Sequence, residues 1–223
     1  MSASEPIDQA DAEKQAAADA AAELVEDGSR VGLGTGSTVA HLLPALARRG
    51  LEITCVATSL ATERAAAALG LRVVAFDELD RLDIAIDGTD QIDPANWLIK
   101  GGGGAHTREK IVAAAADRFV VILQSEKVVD ALRAPVPLEL LTYGLAATLR
   151  ALEPVTRRDA PPSPDGGVIA DYQGEITDPA TLAARLSGTP GVVDHGLFAP
   201  ALVTDVIIGR TTADGRTVAE ARR

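Results

Sequence analysis

Lys100-Gly101-Gly102-Gly103-Gly104-Ala105-His106-Thr107-Arg108-Glu109-Lys110 joins an apolar, strand-like run (Trp97-Leu98-Ile99) to a helix-like run (Lys110-Ile111-Val112-Ala113-Ala114). Glycines pack nothing and cost backbone entropy, so four in succession imply a backbone that something must approach closely. A lysine stands directly before them and a glutamate shortly after. That is a polar cradle with one cation and one candidate base at its two ends.

On either side of the cradle the chain alternates short apolar runs with helical stretches. Helices are expected over Pro6 to Glu26, Ser37 to Ala47 and Ser59 to Leu69, the last two stopping near Gly50 and Gly70. Strands are expected over Arg30 to Leu33, Leu51 to Ala57, Leu71 to Ala75, Leu82 to Ile86 and Arg118 to Leu123. Such alternation indicates an α/β fold with a doubly wound, mostly parallel, Rossmann-like sheet covered on both faces. After Leu132 the rhythm changes. A strand at Leu138 to Leu141 and a helix at Tyr143 to Leu152 lead to strands at Val155 to Arg158 and Val168 to Tyr172. A helix at Pro179 to Leu186 and a strand at Gly191 to His195 complete a βαββαβ order, the ferredoxin-like α+β pattern. The run Asp205 to Gly209 is expected to return to the first sheet. The domains are therefore drawn as 1–133 with 204–223, and 134–203.

Composition limits the partners. With 223 residues and 47% hydrophobic content the chain can bury a normal core, built from aliphatic side chains because aromatic residues are 3%. A net charge of −11 argues against nucleic-acid and anionic-membrane partners, which require a basic face, but leaves an anionic small molecule open. The lone cysteine, Cys55, lies in an apolar run and reads as a buried structural thiol. The acidic N-terminus has no apolar leader segment, and a cytoplasmic location is expected. Of 21 basic residues only four are lysine: Lys14, Lys100, Lys110 and Lys127. The acidic excess suits a salt-rich cytoplasm. Two of the four lysines bracket the cradle, where a compact ammonium is not replaceable by a guanidinium.

Three further segments carry chemistry. Gly32-Leu33-Gly34-Thr35-Gly36-Ser37-Thr38 lies between a strand and a helix, where free N–H groups and the helix dipole can hold a phosphate. It lacks the lysine of a P-loop. It is also a poor dinucleotide fingerprint, because Ser37 occupies the third glycine position and no acidic residue ends the second strand. The competing reading is a plain tight turn capped by Ser37. Asp87-Gly88-Thr89-Asp90 follows a strand, at the edge where open α/β sheets bind ligands, although capping aspartates in an Asx-turn would give the same pattern. Ser125-Glu126-Lys127 puts another lysine at such an edge. Glu109 could be a helix-capping partner, but beside Lys100 and the glycines it reads better as a general base. The helix N-terminus should lower its pKa, so burial must oppose that effect. The histidines (His41, His106, His195) are scattered without ligand spacing, so no metal is expected.

Together the blocks GLGTGST (32–38), TSLATE (58–63), DGTDQID (87–93), KGGGGAHTREK (100–110) and SEK (125–127) resemble the ribose-5-phosphate isomerase type A family. The resemblance extends over nearly the whole chain. It implies interconversion of ribose 5-phosphate and ribulose 5-phosphate through an enediolate, with no cofactor, in a homodimer or homotetramer. By the same resemblance Glu109 is the base, Asp87 assists ring opening, and Asp90 binds sugar hydroxyls. Lys100 and the N–H groups of Gly101, Gly102 and Gly103 hold the oxyanion. Thr35, Gly36, Ser37, Thr38, Gly88 and Thr89 line the substrate, and Lys127 adds positive charge. Thr89, Gly104, His106 and Glu126 depart from the family pattern. A sugar-phosphate deaminase and a sugar-phosphate sensor remain the competing readings on the same scaffold.

Overall fold

The computed structural model describes residues 8–222. The first elements are α1 (Gln9–Ala22), β1 (Arg30–Leu33), α2 (Ser37–Arg49), β2 (Thr54–Ala57), α3 (Leu60–Ala68), β3 (Arg72–Val73) and β4 (Ile84–Gly88). Two short strands follow, β5 (Gln91–Ile92) and β6 (Leu98–Ile99), then α4 (His106–Ala114) and β7 (Phe119–Gln124). The next segment contains β8 (Val136–Leu140), α5 (Leu145–Leu152), β9 (Val155–Arg157), β10 (Val168–Tyr172), α6 (Pro179–Ser187) and β11 (Val192–His195). The chain closes with β12 (Leu197–Phe198), β13 (Asp205–Thr211) and β14 (Thr217–Arg222).

The main sheet has the order β14-β13-β7-β4-β1-β2-β3, parallel except for β14 against β13. Alternate residues of its strands enter opposite cores. Val31, Leu33, Ile84, Ile86, Val120 and Ile122 pack with residues of α1 and α2, while Ala85, Val121 and Leu123 pack with Val112 and Ala113 of α4. Both faces are thus covered, as the apolar strand sequences require. Cys55 of β2 is fully buried, and burial pushes its thiol up to about 12. From β1 the chain winds outward to β3, then crosses back to place β4 on the other side of β1. The strand order therefore reverses between β1 and β4, which makes their carboxyl ends the expected ligand crevice.

The second sheet has the order β11-β8-β10-β9, every neighbour antiparallel, as the βαββαβ reading requires. Pro137 falls inside β8, past the end of its pairing with β11. A third sheet, β12-β6-β5, was not foreseen. Its two-residue strands are too short to show a period, and Gln91–Ile92 lies inside what reads as a turn. Leu197–Phe198, drawn with the smaller domain, pairs with Leu98–Ile99. Strand β14 also escapes the sequence reading, because this edge strand is mostly exposed and carries no apolar run. Helix α1 ends at Ala22 rather than Glu26, and its expected start at Pro6 lies outside the described residues.

Glu13 ties α1 to the carboxyl edge of the sheet. Its Oε2 accepts from the Ser125 N–H (2.9 Å) and hydroxyl (2.7 Å), and its Oε1 accepts from the Thr211 N–H (2.9 Å) and Gln9 Nε2 (3.1 Å). Burial opposes the charge, but these donors, those of Ser125 foremost, hold the carboxyl down at about 2. A depressed carboxylate contributes stability above its ordinary value of 4.5, and that contribution fades as pH falls toward about 2. Glu13→Gln should therefore lose about 1.5–3 kcal/mol of stability at neutral pH. Denaturant melts at pH 7, 4 and 3 should show the deficit shrinking with acid; a constant deficit would contradict the assignment.

Candidate active site

Three elements converge on Lys100. Asp87 is the next-to-last residue of β4, Lys100 follows β6, and Glu109 lies in the first turn of α4. The Lys100 ammonium is 2.9 Å from Asp87 Oδ2 and 3.1 Å from Glu109 Oε2, and it donates to the Gly88 carbonyl at 2.5 Å. All three side chains are buried, and the Phe198 ring of β12 lies 5.4 Å from the ammonium. The Lys100 main chain is pinned by its N–H on the Gly196 carbonyl (2.9 Å), just before β12. The third sheet is thus what aims the lysine.

The charges do not balance: one cation faces two carboxylates away from water. Burial raises the Glu109 pKa to about 7, with Asp87 pushing further the same way and Lys100 opposing. Asp87 is also raised, by burial, against the pull of Lys100 and of the Gly88 and Thr35 N–H groups. Burial works against the Lys100 charge, but Asp87 and Glu109 outweigh it and its pKa rises. The conflict between helix dipole and burial at Glu109 is settled in favour of burial.

A cleft of about 160 Å³ opens above this group. It is lined by Thr35, Gly36, Ser37, Thr38, Gly88, Thr89, Asp90, Lys100, Gly101, Gly102, Gly103, Glu109 and Lys127. Of the residues expected from sequence, only Asp87 does not line it. Asp87 lies behind the wall, its Oδ1 accepting from the Thr35 N–H (3.1 Å) and the Gly88 N–H (2.7 Å). A Cβ on Gly34 would sit 1.9 Å from that carboxylate, so no other residue fits there. Within the cradle, Gly101 and Gly104 have φ of +108° and +73°, Gly102 packs on the Asp90 carboxylate, and Gly103 faces open space.

At the other end of the cleft, Gly36 is the N-cap of α2 and offers no side-chain cap, so Ser37, the first helical residue, is not the N-cap of the plain-turn reading. The first-turn N–H groups are left with the helix dipole behind them. The Thr35 hydroxyl is turned away, into bonds with Thr58 (2.7 Å) and Ser59 (2.9 Å). The Lys127 ammonium donates to the Thr89 carbonyl at 2.7 Å. Burial lowers its pKa, and Lys100 and Lys14 push the same way, which places Lys14 in the field of this corner. No sequence pattern singles out Glu13, which holds the Ser125 end of the Lys127 turn. It shares the buried stripe of α1 with Ala17 and Ala21. A larger cavity of about 510 Å³ lies on the far side of α4, but its one cation, Arg108, is held by Asp165 at 2.7 and 2.8 Å. Among the described residues no group of three or more His, Cys, Asp or Glu side chains is disposed to hold a metal ion.

The family model described as ribose 5-phosphate isomerase A (phosphoriboisomerase A) matches residues 54–213. The chain belongs to the ribose 5-phosphate isomerase A family. A member of that family from Rhodopseudomonas palustris (strain HaA2), named ribose-5-phosphate isomerase A, is 45% identical, with 95% of this chain and 98% of the relative aligned. The crystal structure of ribose 5-phosphate isomerase A from Neisseria gonorrhoeae superposes with a TM-score of 0.87 at 33% identity, covering 95% of this chain and 97% of that one. A D-ribose-5-phosphate isomerase solved in complex with phospho-erythronic acid superposes with a TM-score of 0.85 at 33% identity, covering 94% and 97%. A second model, the DeoR C terminal sensor domain, matches residues 9–76 only. In this isomerase-family chain that shorter match includes the glycine turn before α2 but stops short of Asp87, Lys100 and Glu109.

A carboxyl whose pKa is raised on folding binds its proton more tightly in the native state. Stability is then fully present below the ordinary value of 4.5 and is lost as pH rises through about 7. Glu109→Gln should therefore melt at the same temperature as the parent at pH 4.5 and at a higher temperature above pH 7. Calorimetry across that range checks this; a variant that is less stable at pH 8 would refute the strained-carboxylate account.

Proposed function

We propose that this chain interconverts D-ribose 5-phosphate and D-ribulose 5-phosphate through an enediolate, with Glu109 as the base. The observation that carries the reading is the buried ammonium between two carboxylates, one of which is held near neutrality and lines the cleft. A base poised near the working pH is the optimum for proton transfer. Glu109 takes the proton from C2 of the open-chain aldose. The C–H electron pair becomes the C1–C2 double bond, and the carbonyl pair moves to O1. Glu109 then returns the proton to C1 while the proton on O2 passes to O1, leaving the carbonyl at C2.

Lys100, kept protonated by its two neighbours, holds the developing oxyanion together with the N–H groups of the cradle. Asp87 does not line the cleft, so the role we assign to it is to fix and charge the ammonium rather than to reach the furanose ring. Asp90, which accepts the Gly102 N–H at 2.9 Å, faces the sugar hydroxyls. The phosphate is assigned to the start of α2 with Lys127, where uncapped N–H groups and a lysine meet. The turn after β8 exposes Leu141 and Tyr143 (92% exposed), which supports assembly of the two-domain chain into a homodimer or homotetramer through the smaller domain. We assign the enzyme to the cytoplasm.

The partial match to a sensor domain favours a second reading, in which the cleft only binds a sugar phosphate. A sensor has no use for a base. Glu109→Gln should lower kcat by about 10²–10⁴ while substrate still binds, whereas a sensor would lose nothing. Lys100→Ala should reduce kcat and weaken binding together. The kcat/KM profile of the parent should rise with an apparent pKa near 7, that of Glu109, and Glu109→Gln should lack this limb. A coupled assay of ribulose 5-phosphate formation reads all three. Turnover should be indifferent to EDTA; activity lost on chelation and restored by a divalent metal would overturn the cofactor-free mechanism.

A further inference from the structure

The glycine cradle is gripped from outside by the second sheet. Arg158, the residue after β9, donates from Nη1 to the Gly101 carbonyl at 3.1 Å and to the Gly102 carbonyl at 2.9 Å. Asp171 of β10 braces the other edge of the guanidinium, accepting from Nε at 2.9 Å and from Nη2. The Arg158 N–H is itself fixed on the Ile169 carbonyl at 3.0 Å. The side chains of Arg158 and Asp171 are only 23% and 16% exposed.

A peptide unit is planar and trans, so its C=O and N–H point in opposite directions. The Gly101 carbonyl shares a peptide with the Gly102 N–H, and the Gly102 carbonyl shares one with the Gly103 N–H. Drawing both carbonyls outward onto one guanidinium therefore turns both N–H groups inward. The first meets Asp90 at 2.9 Å. The second has no acceptor among the described residues, at a glycine that lines the cleft and whose own Cβ would meet nothing closer than the Thr35 methyl at 4.0 Å. The bond that closes this turn, from the Gly104 N–H to the Gly101 carbonyl at 3.0 Å, does not touch the Gly102–Gly103 peptide, which among the described residues is held by Arg158 alone.

We propose that Arg158, braced by Asp171, is the positioning residue that fixes the Gly101–Gly102 and Gly102–Gly103 peptides, the first with its N–H on Asp90 and the second with its N–H facing the developing oxyanion. The inference rests on the isomerase reading and deepens it. The guanidinium orients these peptides and also polarises them, which makes each N–H a stronger donor. The benefit falls on the state in which charge develops, so it acts on kcat more than on substrate binding.

Arg158→Lys keeps a charge but cannot hold Asp171 and both carbonyls with one planar fork. It should lower kcat by about 10- to 100-fold, with KM changed by less than about threefold. Affinity for phospho-erythronic acid, whose carboxylate places negative charge at the reacting end, should fall in step with kcat/KM. Asp171→Asn should move the same quantities in the same direction by a smaller factor. Rates are taken per folded enzyme, below the melting midpoint of each variant. A fall in melting temperature with kcat and analogue affinity intact would reduce the pair to a structural clamp and overturn the proposal. Absence of ribose 5-phosphate turnover by the parent would instead sink the isomerase reading, and this inference with it.

Discussion

One ammonium held between two carboxylates, out of water, is the constraint on which the rest of this structure depends. Desolvating three charges costs several kcal/mol each, and the mutual attraction of an unbalanced triad repays that incompletely. Folding therefore has to hold Asp87, Lys100 and Glu109 together against their preference for solvent. The parallel core does so from beneath, because β4 is packed on both faces and flanked by β1 and β7. The absence of a side chain at Gly34 lets the Asp87 carboxylate lie against the β1 turn. What the arrangement yields is a carboxyl raised to about 7 beside a lysine whose pKa its two carboxylate neighbours raise. Those are the two properties that proton transfer next to a developing oxyanion requires.

The three sheets divide this task. The main sheet brings the start of α2 and the end of β4 to the point where the strand order reverses. The small β12-β6-β5 sheet aims Lys100, through the Gly196 carbonyl and the Phe198 ring. The second sheet then closes on the glycine cradle through Arg158. Its contribution lies in a grip on main-chain carbonyls, which is why the segment between β7 and β13 can leave the Rossmann-like unit and return without supplying an acid or a base.

Legibility in the sequence follows the range of each interaction. The doubly wound fold was readable because each strand and helix announces itself within a dozen residues. The cleft was readable because glycine, lysine and carboxylate signatures are local: Lys100, Gly101, Gly102, Gly103 and Glu109 fall within one stretch, and Asp87 and Asp90 within one turn. Arg158 and Asp171 were not readable. The Gly101 and Gly102 carbonyls lie 57 and 56 residues from Arg158, Asp171 serves only through Arg158, and arginine before a Pro/Gly loop has no distinguishing pattern. Glu13 acts across 112 and 198 residues. The third sheet failed for another reason: two-residue strands carry no period, and these are held by pairings with Leu197–Phe198 and by turn bonds that reach across the chain.

The residues that depart from the family pattern have structural accounts, and these bear on the chemistry. The Thr89 hydroxyl donates to the Gln91 and Ile99 carbonyls, both at 2.8 Å, stitching the turn that carries Asp90 to β6. Gly104 closes the cradle onto the Gly101 carbonyl. Glu126 accepts from Gln124 Nε2 at 2.9 Å, while its charge works against the burial that lowers the Lys127 pKa. His106 is the telling case. It is fully buried against Gly101, where a Cβ would come within 2.7 Å of its ring. Burial holds its pKa down at about 4, with Lys110 pushing the same way and Asp194 opposing. An imidazolium there would set a second cation under the cradle and lower the Glu109 carboxyl away from neutrality. Kept neutral, the imidazole adds no charge, and in the reaction proposed above the field at the reacting end is left to Lys100 and to the peptides that Arg158 holds.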